Sequence, residues 1–407
     1  MSSTTQLNSV QLSTWMSSVE GSPTMALNAK AMALQAAGHD IVNLAAGEPD
    51  FDTPVHIREA AQRAMDTGKT HYTPTSGIPE LREALVGWVS ERTGRSYNTD
   101  QIMVTAGTKF GVYLGLASYL NPGDEVLVPA PYWVSYPSMI SMLGGRQISV
   151  WAGPEKSYKV SVDDLDKAIT TRTRGIIFNS PSNPTGAAYT RVETEGIAEW
   201  AQRRNVWILS DEIYSSLRYV DEPYCSIVGA DSRSSEWQIL ADGFSKAYAM
   251  TGWRIGVLAA STNLIKAATR MAGQTTSCPS SISQYAALAA VTGPQDEVTR
   301  MRDEFKSRRD RTQALLEDIE GLGVCEPHGA FYFFLDVREF LGRHAPDGST
   351  LDTSDALCTY FLDHCGIAVV PGEGFGAPGY IRLSYASKIE TLTEAASRLK
   401  QGFEALK

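Results

Sequence analysis

Cysteine is scarce, with five in 407 residues: Cys225, Cys278, Cys325, Cys358 and Cys365. The number is odd and no two form a C-x-x-C pair, which argues against a disulfide framework and a zinc site and fits a reducing compartment. The six histidines contain no H-E-x-x-H arrangement, so nothing points to a metal. Positive charge is also in deficit: the formal net charge is −10, which disfavours a nucleic-acid surface but leaves room for a local basic pocket. Long apolar runs are missing. The best candidate, Gly111–Leu120, is too short to cross a bilayer, so no membrane is expected as a partner. The first residues, MSSTTQLNSVQLSTW, lack a basic stretch followed by an apolar core and are poor in arginine, so they read as neither a secretory signal nor a transit peptide. The cytoplasm is the expected compartment.

Against these absences stands an ordinary globular composition, 43% hydrophobic and 20% charged, with length enough for two or three domains. Residues 1–12 are polar and read as an arm. TMALNAKAMALQAA, from Thr24 to Ala37, has helical periodicity and ends at Gly38. Helices are also expected over His56–Thr67, Glu80–Thr93 and Arg191–Arg204. Short apolar runs predict strands at Ile102–Thr105, Glu125–Pro129, Arg146–Trp151, Gly175–Asn179, Val206–Ser210, Trp237–Ala241 and Arg254–Ala259. Strand alternating with helix argues for an α/β fold with a doubly wound, mainly parallel sheet. After Gly293 the pattern changes to a long charged helix (Glu297–Glu317), apolar segments at Ala330–Val337, Ile367–Val370 and Ile381–Tyr385, and a last helix from Glu390. The expected organisation is therefore a large domain over 56–293 and a smaller α+β domain over 294–407, completed by 1–55.

In such sheets ligands bind beyond the carboxyl ends of the strands. Ala106-Gly107-Thr108-Lys109 follows the first strand as a glycine turn opening a helix, a geometry suited to phosphate. Trp133 follows the second and could lie flat on an aromatic ligand. Asn183, between Pro181 and Pro184, has its amide held for a ligand oxygen. Asp211 ends a strand, as a helix N-cap or a working charge, and in a helical turn Tyr214 would share its face. Then comes ILADGFSKAYAMTGWRIG, Ile239 to Gly256, with Ser245, Lys246 and Arg254. Lysine forms Schiff bases with carbonyl compounds, while serine and arginine hold anions, so a carbonyl cofactor with a phosphate tail would use both halves. Pyridoxal phosphate is that cofactor. Arg382 lies between apolar neighbours in Tyr380–Tyr385, a costly place unless it meets an anion, and its fork suits a carboxylate. Gly374-Phe375-Gly376-Ala377-Pro378-Gly379 matches G-x-G-x-x-G, but Pro378 interrupts it and no helical pattern follows, which argues against a dinucleotide site.

AGEPDFDTP, YTPTSGIPELREAL, PYWVSYP, NSPSNPTGAAY, SDEIY, SKAYAMTGWRIG and IRLSYA together resemble the fold-type I pyridoxal-phosphate enzymes of aminotransferase class I/II, and within them the bacterial aspartate and aspartate/prephenate branch. The resemblance runs from about Ser13 to the C-terminus. It implies that Lys246 anchors the cofactor covalently and then moves the substrate proton. It implies that Asp211 pairs with the ring nitrogen, that Tyr214 and Asn183 bond the ring hydroxyl oxygen, and that Trp133 stacks on the ring. Ser245, Arg254 and the amides of Gly107, Thr108 and Lys109 would hold the phosphate, with Tyr72 entering from the second subunit of a homodimer. Arg382, with Asn183 and the backbone at Gly47, would take the substrate α-carboxylate. Thr24 and Lys109 would hold the distal carboxylate of an acidic substrate. Phe110 and Gly111 replace the family's usual Gln-Ala, and Glu20 near the pocket mouth would disfavour a second carboxylate. The implied activity is ping-pong transamination between an amino acid and a 2-oxo acid. The alternatives are elimination, replacement or carbon–carbon bond formation on the same fold, or a non-catalytic sensor domain.

Overall fold

The structure is a computed structural model that describes residues 12–17, 19, 21 and 23–407. Most of the arm and Glu20 lie outside the described residues.

Among the described residues twelve strands run in chain order. They are β1 (Val42–Asn43), β2 (Ile102–Thr105), β3 (Glu125–Ala130), β4 (Arg146–Trp151), β5 (Thr173–Asn179), β6 (Trp207–Asp211), β7 (Gln238–Gly243), β8 (Gly256–Ala259), β9 (Tyr332–Asp336), β10 (Ile367–Ala368), β11 (Val370–Pro371) and β12 (Tyr380–Ser384). Seven form one sheet in the order β2-β8-β7-β6-β5-β3-β4. Its central strands are buried on both faces, as in Trp207-Ile208-Leu209-Ser210-Asp211, which is why they read as near-continuous apolar runs. Helices cover the sheet. Arg191–Arg204 starts at a capping box made by Thr190 and Glu193 and ends where Asn205 turns left-handed at φ 54°.

Every pairing in the large sheet is parallel except the two made by β8, which runs antiparallel to β2 and β7. This corrects the expected strand at Arg254–Ala259. The strand begins at Gly256, and Arg254 precedes it in a turn at φ 53°. No helix separates β7 from β8, as an antiparallel neighbour requires only a short connection. Because β8 is reversed, its amino end lies at the same sheet edge as the carboxyl ends of the others, with Thr105 and Gly243 both opposite Gly256. Gly256 lets the helix Thr108–Tyr119 seat closely, since a Cβ there would lie 2.4 Å from the Thr108 nitrogen.

The expected segment Ile367–Val370 divides in two. Ile367–Ala368 pairs in parallel with Val42–Asn43, so the N-terminal segment joins the C-terminal part of the chain. Val370–Pro371 edges a three-stranded antiparallel sheet in the order β11-β12-β9, which places Arg382 on its central strand between Val370 and Phe334. Gly372–Phe375 is a 3-10 turn. Among the described residues no helix is long and apolar enough to cross a membrane, and no cluster of His, Cys, Asp and Glu could hold a metal.

Candidate active site

At the edge where β2, β3, β5, β6 and β7 end, the chain encloses a cavity of about 560 Å³ that the small sheet closes from the other side. All the residues given a catalytic or binding role from the sequence line it except Gly107 and Tyr72; Phe110 and Gly111 do not line it, and Glu20 lies outside the described residues. Gly107 stands just behind the lining at φ 83°, capping the helix Thr108–Tyr119, and a Cβ there would lie 2.6 Å from Arg254 Nη2. Glycine thus lets a cationic side chain lie against a helix N-terminus, whose free N–H groups attract anions. Tyr72 is 91% exposed and belongs to no part of this chain's own cavity.

Lys246 lies half-buried in the turn after β7 at the cavity wall, and its Nζ donates to the Gly47 carbonyl at 2.5 Å. Burial lowers its pKa to about 8; Arg382 and Arg254 push the same way, while Glu48 and Asp211 oppose them. Asp211 closes β6. Its Oδ2 accepts from Tyr136 at 2.8 Å and its Oδ1 from the Ile213 N–H at 3.3 Å. Burial raises its pKa to about 6 despite both hydrogen bonds. The residues after Asp211 form a turn and not a helix, so the expected helical face shared with Tyr214, and the N-cap alternative, are not seen. The chain bends sharply there because Glu212 turns back to pair with Ser210 and Ser226. Tyr214 still reaches the cavity, where its hydroxyl meets that of Tyr332 at 2.9 Å.

Arg382 is 2% exposed. Its Nη1 donates to Asn183 Oδ1 at 3.0 Å and its Nη2 to the Ala45 carbonyl at 2.8 Å, both neutral acceptors. Its guanidinium lies 4.5 Å from the Tyr332 ring centroid and 5.1 Å from that of Phe375. Its Nε is buried with no hydrogen-bond partner among the described residues. A buried guanidinium held only by neutral groups is a site for an anion. At the far end, Thr24 Oγ1 is likewise buried without a partner, and Lys109 Nζ lies 4.9 Å from the Trp133 ring centroid. Burial and then Arg254 lower the Lys109 pKa.

Among the lining residues that were not singled out from the sequence are Tyr136, Tyr332, Asn179 and Glu48. Asn179 Nδ2 donates to the Asp211 carbonyl and its Oδ1 accepts from the Asn183 N–H, linking the ends of β5 and β6. Tyr136 and Asn179 stood inside the quoted motifs, but nothing local in those motifs signals contacts made 75 and 32 residues away.

A buried amine with lowered pKa, an acid held in apolar surroundings, an anion pole at a helix N-terminus and a second buried cation define a class: an enzyme that holds a carbonyl cofactor with an acidic tail. The chain belongs to the aminotransferases of class I and II, whose family description matches residues 39–399. It is 43% identical to an aspartate/prephenate aminotransferase of Cereibacter sphaeroides, covering 96% of this chain and 98% of that one. To an aspartate aminotransferase of Bacillus subtilis it is 40% identical, covering 97% and 99% respectively. Among solved structures, the aspartate aminotransferase of Rhizobium meliloti superposes with a TM-score of 0.93 at 36% identity, covering 98% of this chain and all of that one. The aspartate aminotransferase of Thermus thermophilus with maleate gives 0.90 at 39% identity, covering 97% and 100%. Pyridoxal 5'-phosphate is the cofactor of this family, and the buried Lys246 amine, the Asp211 carboxyl and the Gly107–Arg254 cradle fit its three poles.

The lowered Lys246 pKa has a kinetic consequence, since the neutral amine is the nucleophile. In cofactor-free protein, the rate at which pyridoxal phosphate attaches should rise as pH passes through about 8. Stopped-flow absorbance across pH 6–11 checks this, and an inflection at the ordinary lysine value of about 10.4 contradicts it.

Proposed function

We propose that the chain moves an amino group between an acidic L-amino acid, of aspartate or glutamate type, and a 2-oxo acid by a ping-pong mechanism. The observation that carries this reading is Arg382, a buried cation whose partners are all neutral and whose Nε is unpaired. An α-carboxylate supplies the missing charge and accepts from the fork.

When bound, pyridoxal phosphate supplies a carbonyl that accepts the amino group and a protonated ring that takes up the electron pair left at Cα. The chain's residues do the rest. Asp211 keeps a proton on the ring nitrogen, and the favourable pairing returns this buried acid to its ionised form. Tyr214 and the NH2 of Asn183 donate to the ring oxygen, while Trp133 stacks on the ring face. Ser245, Arg254 and the amides of Gly107, Thr108 and Lys109 hold the phosphate, with Tyr72 completing that pole from the other subunit of a homodimer. The exposure of Tyr72 on the single chain supports such a partner. Lys246 would be the covalent anchor and, with its amine free, the base that moves the Cα proton. Gly47 would serve both ends: its carbonyl accepts from the Lys246 amine, and its backbone would assist Arg382 with the substrate α-carboxylate.

Lys109 and Thr24 hold the distal carboxylate. The unpaired Thr24 hydroxyl supports this, as does the dicarboxylate in the Thermus thermophilus structure. The division into 1–55, 56–293 and 294–407 is supported by a core that runs from Ile57 to Ala290 and a second that joins Val42 and Leu44 to residues from Phe305 onward, although the second also takes in Ile213, Tyr214, Leu217 and Tyr219. The cytoplasm remains the proposed compartment.

Mixing holoenzyme with a panel of amino acids should convert the cofactor to its amine form and release the matching 2-oxo acid, fastest for acidic substrates. Absorbance and mass spectrometry read both, and an eliminated or condensed product contradicts the proposal. Arg382→Leu should raise KM for amino acids by at least about 100-fold through loss of the charged pair. The same change should leave the melting temperature of ligand-free protein unchanged or higher, because an apolar residue replaces an uncompensated buried charge. A lower melting temperature would show that Arg382 is chiefly structural.

A further inference from the structure

Tyr332 is 1% exposed on β9 and touches three working groups at once. Its hydroxyl lies 2.9 Å from that of Tyr214. Its ring faces the Arg382 guanidinium at 4.5 Å. Its hydroxyl also approaches Gly47 so closely that a Cβ there would lie 2.7 Å away, and Gly47 is the residue whose carbonyl accepts from Lys246.

A phenol has one proton to donate. In the Tyr214–Tyr332 pair either oxygen could be the donor, but only one direction leaves the Tyr214 proton free for a ligand. If Tyr214 donated to Tyr332, it could meet the cofactor's ring oxygen only as an acceptor. If Tyr332 donates to Tyr214, the Tyr214 proton points into the cavity. Burial raises the pKa of both phenols, so both protons stay in place over the working range of pH. The Tyr332 ring meanwhile offers Arg382 a negative π face, the nearer of two aromatic faces on that cation, with Phe375 the other.

We propose that Tyr332 is a positioning residue for the transamination, fixing the direction of the Tyr214 hydrogen bond through its hydroxyl and the carboxylate clamp through its ring. This rests on the roles given above to Tyr214 and Arg382. The two parts separate by substitution. Tyr332→Phe keeps the ring and loses the hydroxyl; Tyr332→Leu loses both.

The test uses holoenzyme of the wild type, Tyr332→Phe, Tyr332→Leu and Tyr214→Phe. One measurement is the pH midpoint of the bound cofactor's visible absorption, and the other is the dissociation constant of maleate as a dicarboxylate probe. Tyr332→Phe should raise the midpoint by about half a pH unit, since a donor to the ring oxygen favours its ionised form and one hydrogen bond is a fraction of a unit to one unit in size. It should leave maleate binding within about twofold, while Tyr332→Leu weakens it about tenfold. A midpoint moved by Tyr214→Phe but not by Tyr332→Phe overturns the role of the Tyr332 hydroxyl alone. A midpoint moved by neither overturns the reading of Tyr214 together with it. Equal loss of maleate in Tyr332→Phe and Tyr332→Leu overturns the role of the ring.

Discussion

Arg382 sits on the central strand of a small antiparallel sheet with carbonyl oxygens and aromatic faces around it and, among the described residues, no carboxylate paired with it. A guanidinium taken out of water costs several kcal/mol unless its charge is answered. Asn183 and Ala45 satisfy its hydrogen bonds, but neither supplies negative charge. The same field reaches Lys246, whose amine is pushed down by burial first and then by Arg382 and Arg254. The cavity is thus held in a state of positive excess that an anionic cofactor and an acidic substrate relieve. The charge that draws in a carboxylate also adds to burial in lowering the Lys246 pKa to about 8, where half of the amine is neutral.

Two topological facts bring these groups together. The large sheet delivers its loops to one edge, and the reversal of β8 adds Arg254 to that edge from the beginning of a strand instead of its end. The small sheet then supplies Arg382 and Tyr332 from above, tied by Asn183 on one side and by the Ala45–Gly47 loop on the other. That loop joins both halves, since Ala45 accepts from Arg382 and Gly47 from Lys246.

Much of this was legible in the chain. The strands of the large sheet are buried on both faces, so their apolar runs stand out, and all seven were located within two residues. Arg382 stood out because a charge between apolar neighbours contradicts its surroundings, Asp211 because it ends a strand, and Lys246 because an amine close to Ser245 and Arg254 suits a carbonyl cofactor with an acidic tail. Arg254 was placed on a strand because Trp253 and Ile255 flank it with apolar side chains, whereas its left-handed φ of 53° leaves no mark in composition. The turn after Asp211 was obscured because Glu212 is buried and satisfied by two serines, one of them fourteen residues away. Tyr136 and Tyr332 were hidden for a similar reason. A tyrosine in an apolar stretch looks like core until the partner of its hydroxyl is known, and those partners lie 75 and 118 residues distant.

The central claim is that one buried lysine, Lys246, carries the cofactor while the other cation of the cavity with an amine, Lys109, does not. Borohydride reduction of the holoenzyme, followed by proteolysis and mass spectrometry, tests this directly. The account predicts the added cofactor mass on the peptide containing Lys246 and on no other. Reduced cofactor on Lys109, or spread over several lysines, would contradict it.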